Sequence, residues 1–400
     1  MTRGRLTAAA LVVLAAVAAV VVALSVGGGG GDRKAAEGGP HGFEIAVADD
    51  PVFIRRDYYE IEHGYARLRE LGVSWLRMNA IWHSVAGRTA ALRHPPLRPR
   101  YDWTSFDVAI RSAHDHGVQV ELHLTGPAPA WATGDGKVGV ERPDPRAYAA
   151  FVRAAALHFR GRVHRYSIWN EPNFVSWLSP QSEAPRLYRR LYEAGYAEIK
   201  RVDPTAQVLI GETAPFRLLG AATAPLRFLR ALTCANVAYR PARPCRPLRA
   251  DGYAHHPYDF LNTPERPYPG ADNVTIGSLG RLTGALDRLA AARLLMTPTG
   301  RPLPVYLTEF GYFRRGDRVL PPRRRAAYLR RAFAIAERGY PRVRQLLQYL
   351  LVSPPPNYRG GRFDTSILLR SGVRTPSFDA LSAWARLERL RGRVATPRRP

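Results

Sequence analysis

Two periodicities take turns along this chain, and that alternation limits its fold more than any other feature. Apolar residues recur at every second position in short runs and at three- and four-residue spacing in the longer runs between them, the marks of strands and amphipathic helices respectively. The spacing predicts a first strand over 43–54 and a helix carrying Ile61, Tyr65, Leu68 and Leu71. A second strand over 73–80 precedes a helix on Phe106, Ile110 and Ala113, and Val118, Val120, Leu122 and Leu124 alternate as a third strand. Leu71-Gly-Val and His116-Gly-Val repeat one device: glycine ends a helix in the left-handed region and a β-branched residue opens the next strand. Tyr148, Phe151, Ala155 and Phe159 lie on a helix before a short fourth strand from Val163, which Pro172 stops because it has no N–H to donate. Strands over 208–211, 252–255, 304–308 and 346–352 follow. Helices on Leu187, Leu191 and Ile199, on Leu226 to Leu232, on Leu279 to Leu289, over 321–338 and on Phe378 to Trp384 separate and close them. Eight strands each followed by a helix is the count of a closed parallel (β/α)8 barrel, a TIM barrel, in a single domain over 41–391.

The segments outside that domain are different in kind. Arg3 and Arg5 precede an uninterrupted apolar run over 6–26, long enough at about 20 residues to span a bilayer. It reads as a signal anchor, its amino end in the cytoplasm, or as a signal peptide cleaved near Ala23-Leu-Ser25. In either case the remainder is expected outside the cytoplasmic membrane, anchored by the N-terminal helix or secreted, on a glycine-rich flexible linker over 27–40. Residues 392–400 form a basic tail.

The net charge of +26 raises the question of a nucleic-acid partner. Lysine occurs only at 34, 137 and 200, so nearly all cations are arginines, spread along helices and loops rather than gathered into a phosphate-binding patch. No nucleic-acid partner is expected. Cys234 and Cys245 flank a proline- and arginine-rich loop. In an oxidising compartment they are expected to pair, stapling the connection before strand six and limiting its movement over the cleft.

In a parallel barrel, ligands bind at the carboxyl ends of the strands. The residues at those ends form one set: Arg77 and Asn79 after strand two, His123 after three, Asn170 and Glu171 after four, His256 and Tyr258 after six, and Glu309 after seven. Two carboxylates, an arginine, histidines and a tyrosine on one rim suit acid–base chemistry, whereas the strand interiors read as Val, Leu and Ile. His255-His-Pro-Tyr-Asp259 could hold a metal, but no spacing of His, Cys and carboxylates in the chain demands one. No cofactor is expected.

Ile168-Trp-Asn-Glu-Pro172 together with Leu307-Thr-Glu-Phe-Gly311 resembles the paired signatures of clan A retaining glycoside hydrolases, in flavour nearest to families 5 and 39. Arg77 at strand two and His256-Pro-Tyr258 at strand six strengthen the resemblance, which covers most of the chain. It implies an O-glycosyl hydrolase that cleaves a β-glycosidic bond in a polysaccharide or oligosaccharide by double displacement. Glu171 would be the acid/base, Glu309 the nucleophile, and Asn170 the partner of the sugar's 2-hydroxyl. Arg77 and Tyr258 would orient Glu309 and favour its charged form, while Glu171, beside that charge and the Trp169 indole, would have its pKa raised. His123 and His256 would join the substrate-binding set.

Sugar rings pack their C–H faces on flat apolar surfaces. Trp82, Trp131, Trp177 and Tyr312 fall in loops after strands two, three, four and seven and are expected to serve as platforms. Gly126-Pro-Ala-Pro-Ala-Trp131 resembles a Pro-Trp loop of the same clan. One departure stands out: clan members usually carry a tryptophan at the end of strand eight, and this chain reads Gln348-Tyr-Leu-Leu-Val-Ser-Pro354, leaving Tyr349 or Tyr358 to substitute. A carbohydrate-binding surface protein with weak turnover on the same barrel, or a transglycosylase, are the alternative readings.

Overall fold

The computed structural model describes residues 42–396 apart from 98, 261, 317, 359, 360 and 362. The apolar run over 6–26 lies outside the described residues. No helix among the described residues is long and apolar enough to cross a membrane.

The barrel strands are β1 (Glu44–Ala48), β2 (Trp75–Ile81), β3 (Gln119–Thr125), β4 (Arg165–Ile168), β5 (Gln207–Thr213), β6 (Gly252–His255), β7 (Val305–Phe310) and β8 (Val343–Tyr349). All pair in parallel in chain order, and β1 closes on β8 with Ala48 opposite Tyr349. A helix of eight or more residues follows each strand: α1 (Ile61–Leu71), α2 (Thr104–Asp115), α3 (Pro145–His158), α4 (Ala184–Val202), α5 (Pro225–Leu232), α6 (Leu279–Ala291), α7 (Pro322–Gly339) and α8 (Pro376–Leu390). Leu248–Arg249 and Leu295–Met296 pair as a separate two-stranded sheet, just ahead of β6 and β7. Gly72, at φ 67°, ends α1 in the left-handed conformation that its lack of a Cβ permits, and Gly117, at φ 70°, takes the same conformation after α2.

The expected first strand is cut short. Residues 43–54 are β1 followed by a helical turn, Asp50–Phe53, because Pro51 sits where its fixed φ and missing N–H suit a helix start. Phe43, which bridges to Val394, exchanges backbone hydrogen bonds with Arg393 and Ala395. The expected basic tail from 392 thus begins inside the fold.

The apolar alternation of the strands turned out to mark their outer faces. Leu76, Met78, Leu122, Leu124 and Ile168 belong to one large cluster with the inner faces of the helices, and only small apolar groups, such as Ala46, Ala48, Trp75 and Leu347, form separate clusters. The barrel interior is instead charged. At its lower end the Arg165 guanidinium lies between Trp75, 3.6 Å from the ring centre, and Tyr306, at 4.3 Å, a cation–π sandwich. It donates to both Glu44 oxygens at 2.8 and 3.1 Å, to Gln345 at 2.7 Å and to Gln207 at 2.9 Å. Glu121, wholly buried, stands in strand register with Arg165 on one side and Arg77 on the other.

Cys234 and Cys245 are disulfide-bonded, with their Cα atoms 6.2 Å apart. Their loop joins the end of α5 to the approach to β6, so it belongs to the amino-terminal face of the barrel and does not restrain movement over the cleft.

Candidate active site

The end of β4 is shaped by its neighbours. Ile168 is the last strand residue, and Trp169 and Glu171 take φ values of 59° and 33°, a region non-glycine residues seldom occupy outside functional turns. The turn is fixed on both sides. Trp169 N–H donates to Leu124 O at 3.0 Å, Asn170 N–H to Thr125 Oγ1 at 3.0 Å, and the Trp169 indole to Trp177 O at 2.7 Å. A Cβ on Gly126 would come within 2.7 Å of the Trp169 ring, so glycine is what lets the indole lie there. The Tyr188 hydroxyl donates to Ile168 O at 3.1 Å and accepts from Gly211 N–H at 2.7 Å, tying the ends of β4 and β5 together.

At β5 the register slips between Gly211 and Thr213, leaving Glu212 as the extra residue of a bulge, at φ 49°. This glutamate is the main site residue that the sequence reading missed. Ending the fifth strand at Gly211 left Glu212 in a loop. Continuing the strand by two residues places it on the rim already identified at Glu171 and Glu309.

Three glutamates converge on one arginine and one histidine. Arg77, wholly buried, donates through Nη1 to Glu309 at 2.9 Å and through Nη2 to Glu212 at 3.1 Å and Asn170 Oδ1 at 3.3 Å. Tyr258 donates its hydroxyl to the other Glu309 oxygen at 3.1 Å. His256 faces Glu212 with Nε2 at 2.7 Å and Glu171 with Nδ1 at 3.0 Å, and the same Nδ1 lies 3.8 Å from Glu309. Burial opposes a charge on His256, but Glu309, Glu171 and Glu212 outweigh it and push its pKa up to about 10. It is an imidazolium that donates from both nitrogens. Burial raises the Glu171 carboxyl above its ordinary value, with the Glu309 charge reinforcing it against the opposing pull of His256. Burial would raise Glu212 as well, but Arg77 and His256 hold it well below the usual carboxylate range. Burial and Arg77 depress His123, a neutral imidazole with Nδ1 2.6 Å from Ser167 Oγ.

A cavity of about 680 Å³ opens above this network, lined by Asn170, Glu171, Tyr258 and Glu309 among others. Arg77, His123 and His256 do not line it. Arg77 meets Glu309 from beneath the floor, as expected of a residue that orients it, whereas His123 and His256, expected to bind substrate, face Ser167 and the Glu171–Glu212 pair respectively. Of the four expected platforms, Trp177 alone lines the cavity. Trp82 is fully buried and stacked on Phe151 at 5.5 Å, and Trp131 packs edge-on against it while donating its indole N–H to Thr89 O. Tyr312 is buried edge-on between Phe310 and Tyr328. A loop position after a strand does not reveal which way a ring turns, and these three turn into the space between strands and helices. The aromatic lining comes from elsewhere: Phe260 stacks on Tyr258 at 5.1 Å and on Phe313 at 4.6 Å, and Phe363 caps them edge-on. Tyr349 and Tyr358 both line the cavity. Among the described residues no group of His, Cys, Asp or Glu is arranged to hold a metal ion.

The closed barrel of eight parallel strands is a fold shared with solved glycoside hydrolases. Solved structures match most of the chain. A family 39 glycoside hydrolase from the gut symbiont Bacteroides cellulosilyticus WH2 aligns with TM-score 0.62 at 18% identity over 86% of this chain and 64% of its own. A monomeric β-xylosidase from Caulobacter crescentus CB15 aligns with TM-score 0.57 at 19% identity, covering 88% and 69%. The GH39 enzyme from Xanthomonas axonopodis pv. citri aligns with TM-score 0.55 at 21% identity, covering 86% and 67%. The chain thus spans about two thirds of the length of these proteins, and at such identities the likeness establishes the fold. No family model matches the chain. No curated protein matches it.

Proposed function

We propose that the protein is a retaining β-glycosidase, with Glu171 as acid/base and Glu309 as nucleophile. The observation that carries this reading is the single His256 Nδ1 that lies 3.0 Å from Glu171 and 3.8 Å from Glu309 at the base of an open cavity. Two carboxyls that share one neighbour in this way suit the separation of about 5–5.5 Å that a double displacement requires. Their surroundings differ as the two roles demand. Glu309 accepts from Arg77 on one oxygen and Tyr258 on the other, which aims it as an attacking carboxylate. Burial raises the Glu171 carboxyl, the direction that the role of acid requires.

In the first step Glu309 attacks the anomeric carbon as Glu171 protonates the departing oxygen. In the second, ionised Glu171 takes a proton from the water that displaces Glu309. His256 and Arg77 remain charged through both steps and keep the negative charge in place as it moves between the glutamates. Asn170, held by Arg77, faces the position of the sugar's 2-hydroxyl. We place this chemistry outside the cytoplasmic membrane, a proposal supported by the apolar run over 6–26 and the Cys234–Cys245 bond.

The test separates the two carboxylates. On a panel of dinitrophenyl β-glycosides, Glu171→Ala keeps appreciable first-step activity because this phenol leaves without a proton, and it loses about 10²–10⁴-fold on substrates with poor leaving groups. Glu309→Ala is inactive on both. With azide, Glu309→Ala yields the α-glycosyl azide and Glu171→Ala the β product, read by NMR. Opposite anomers exchange the roles, and an inverted product from the wild type removes the retaining mechanism.

A further inference from the structure

The cleft is divided by polarity, and the division falls on either side of Glu171. Toward β1, β2 and β8 the lining carries Asp50, Asn79, Tyr58, Arg55, Tyr349 and Tyr358, side chains that can bond hydroxyl groups. Asp50 and Asn79 are themselves paired at 2.8 Å, presenting a fixed acceptor and donor edge. Toward β4 and β5 the lining is Phe174, Trp177, Pro215, Phe216, Leu218 and Ala222. That wall offers no charged or hydroxyl side chain.

It is also a built wall rather than a chance grouping. The loop after β4 and the loop after β5 are joined by an antiparallel bridge between Phe174 and Ala222 and by hydrogen bonds from Val175 N–H to Ala221 O and Thr223 N–H to Asn173 O, each 2.8 Å. The buried Asn173 side chain clamps them from behind, accepting from Ala214 N–H at 2.8 Å and donating to Thr223 O at 2.8 Å. Phe216 is fixed by a stack on Tyr268 at 4.9 Å. Phe174 N–H donates to Glu171 O at 2.8 Å, so the wall starts at the acid/base residue itself. At its outer end Leu218 is 43% and Leu219 88% exposed, continuing the apolar track to the mouth of the cleft.

We infer that the substrate is a β-glycoside of an apolar alcohol, its sugar on the polar side and its alkyl or aryl aglycone along the Phe174–Leu218 wall. The inference rests on the assignment of Glu171 as acid, since the group that receives the acid's proton is the one that leaves on the acid's side. A second sugar on this side could stack a C–H face on Trp177, but apart from that indole N–H its hydroxyls would meet side chains that cannot bond them, which costs binding. An alkyl chain buries apolar surface on both partners, and each added methylene strengthens the contact.

The experiment uses the sugar selected by the dinitrophenyl panel. Its methyl, hexyl and octyl β-glycosides, whose alcohols differ little as leaving groups, are compared below their micelle concentrations with a disaccharide of the same glycone. The octyl glycoside is expected to exceed both the methyl glycoside and the disaccharide in kcat/KM by at least about tenfold. Leu218→Asp, on an exposed hairpin, lowers kcat/KM for the octyl more than for the methyl glycoside, collapsing that ratio. Turnover that favours the disaccharide, or that is indifferent to chain length, overturns the inference while leaving the glycosidase reading intact. Absence of turnover on the whole dinitrophenyl panel removes that reading and this inference with it.

Discussion

Glu121 shows how closely charge is managed inside this barrel. It is fully buried, with Arg77 Nε 3.8 Å away. Burial, reinforced by the Glu212 charge, raises its pKa from 4.5 to about 7. A carboxyl raised by folding favours the folded state fully below its unfolded value and loses that contribution as pH climbs through the folded one. The window is therefore about pH 4.5 to 7, and the loss is on the order of 3 kcal/mol. Glu121→Gln keeps the volume and removes the titration, so its stability relative to wild type should rise between pH 4 and pH 8. Denaturant midpoints at the two pH values check this, and an equal difference at both would rule it out. None of it was legible in the chain, where Val120-Glu-Leu122 reads as one polar residue in an apolar strand. Glu171 and Glu309 were legible because each stands in a distinctive local context at the end of a strand. Glu121 acquires its character from Arg77 and Glu212, residues distant in the chain and adjacent only across the barrel.

At the scale of single elements, the β5 bulge determines where the third glutamate points. Gly211 sits at φ 119°, and a Cβ there would approach Ala254 O to 2.5 Å. Gly211→Ala strains the backbone and forces a backbone neighbour to shift, so it should destabilise by more than about 1 kcal/mol. Because Glu212 is the next residue, turnover per folded molecule should fall as well. Chemical denaturation and kcat on the best aryl glycoside check the two effects, and unchanged stability would show that the bulge tolerates a side chain. Bulges are difficult to foresee. Val208-Leu-Ile-Gly211 has the composition of a strand up to the glycine, and the glycine resembles a strand end as much as a slip in pairing. The helical turn at Asp50–Phe53 was missed for a similar reason, since Val52, Phe53 and Ile54 continue the apolar character of β1.

For the whole molecule, strand count and order could be read because the alternation of two periodicities survives errors of a few residues at each boundary. The inside and outside of the barrel could not. Apolar alternation identifies a face but does not say whether it meets the helices or the barrel axis, so an interior filled by Arg165, Glu44 and Glu121 was unexpected. The two ends of the barrel are accordingly separate in kind, with the open cavity at the carboxyl face and fastening at the amino face. The Cys234–Cys245 bond belongs to the second group. Replacing both cysteines by serine should cost no more than about 3 kcal/mol for so short a loop and leave kcat/KM unchanged. A loss of activity in the still-folded variant would place that loop in contact with the cleft after all.

The Asn173 clamp has a consequence for how such a protein can change its preferences over time. Its amide holds Ala214 and Thr223 from the far side of the bridge between Phe174 and Ala222. The loops after β4 and β5 therefore travel as one cassette. A recombinant that inherits a foreign version of either loop alone would keep a donor and acceptor set without its counterpart, beside Glu171, whose backbone carbonyl is part of the same structure. New substrate tastes should come more readily from exchanging both loops together than from exchanging either one, and laboratory shuffling of this barrel would do well to place its crossover points before Asn170 and after Thr223.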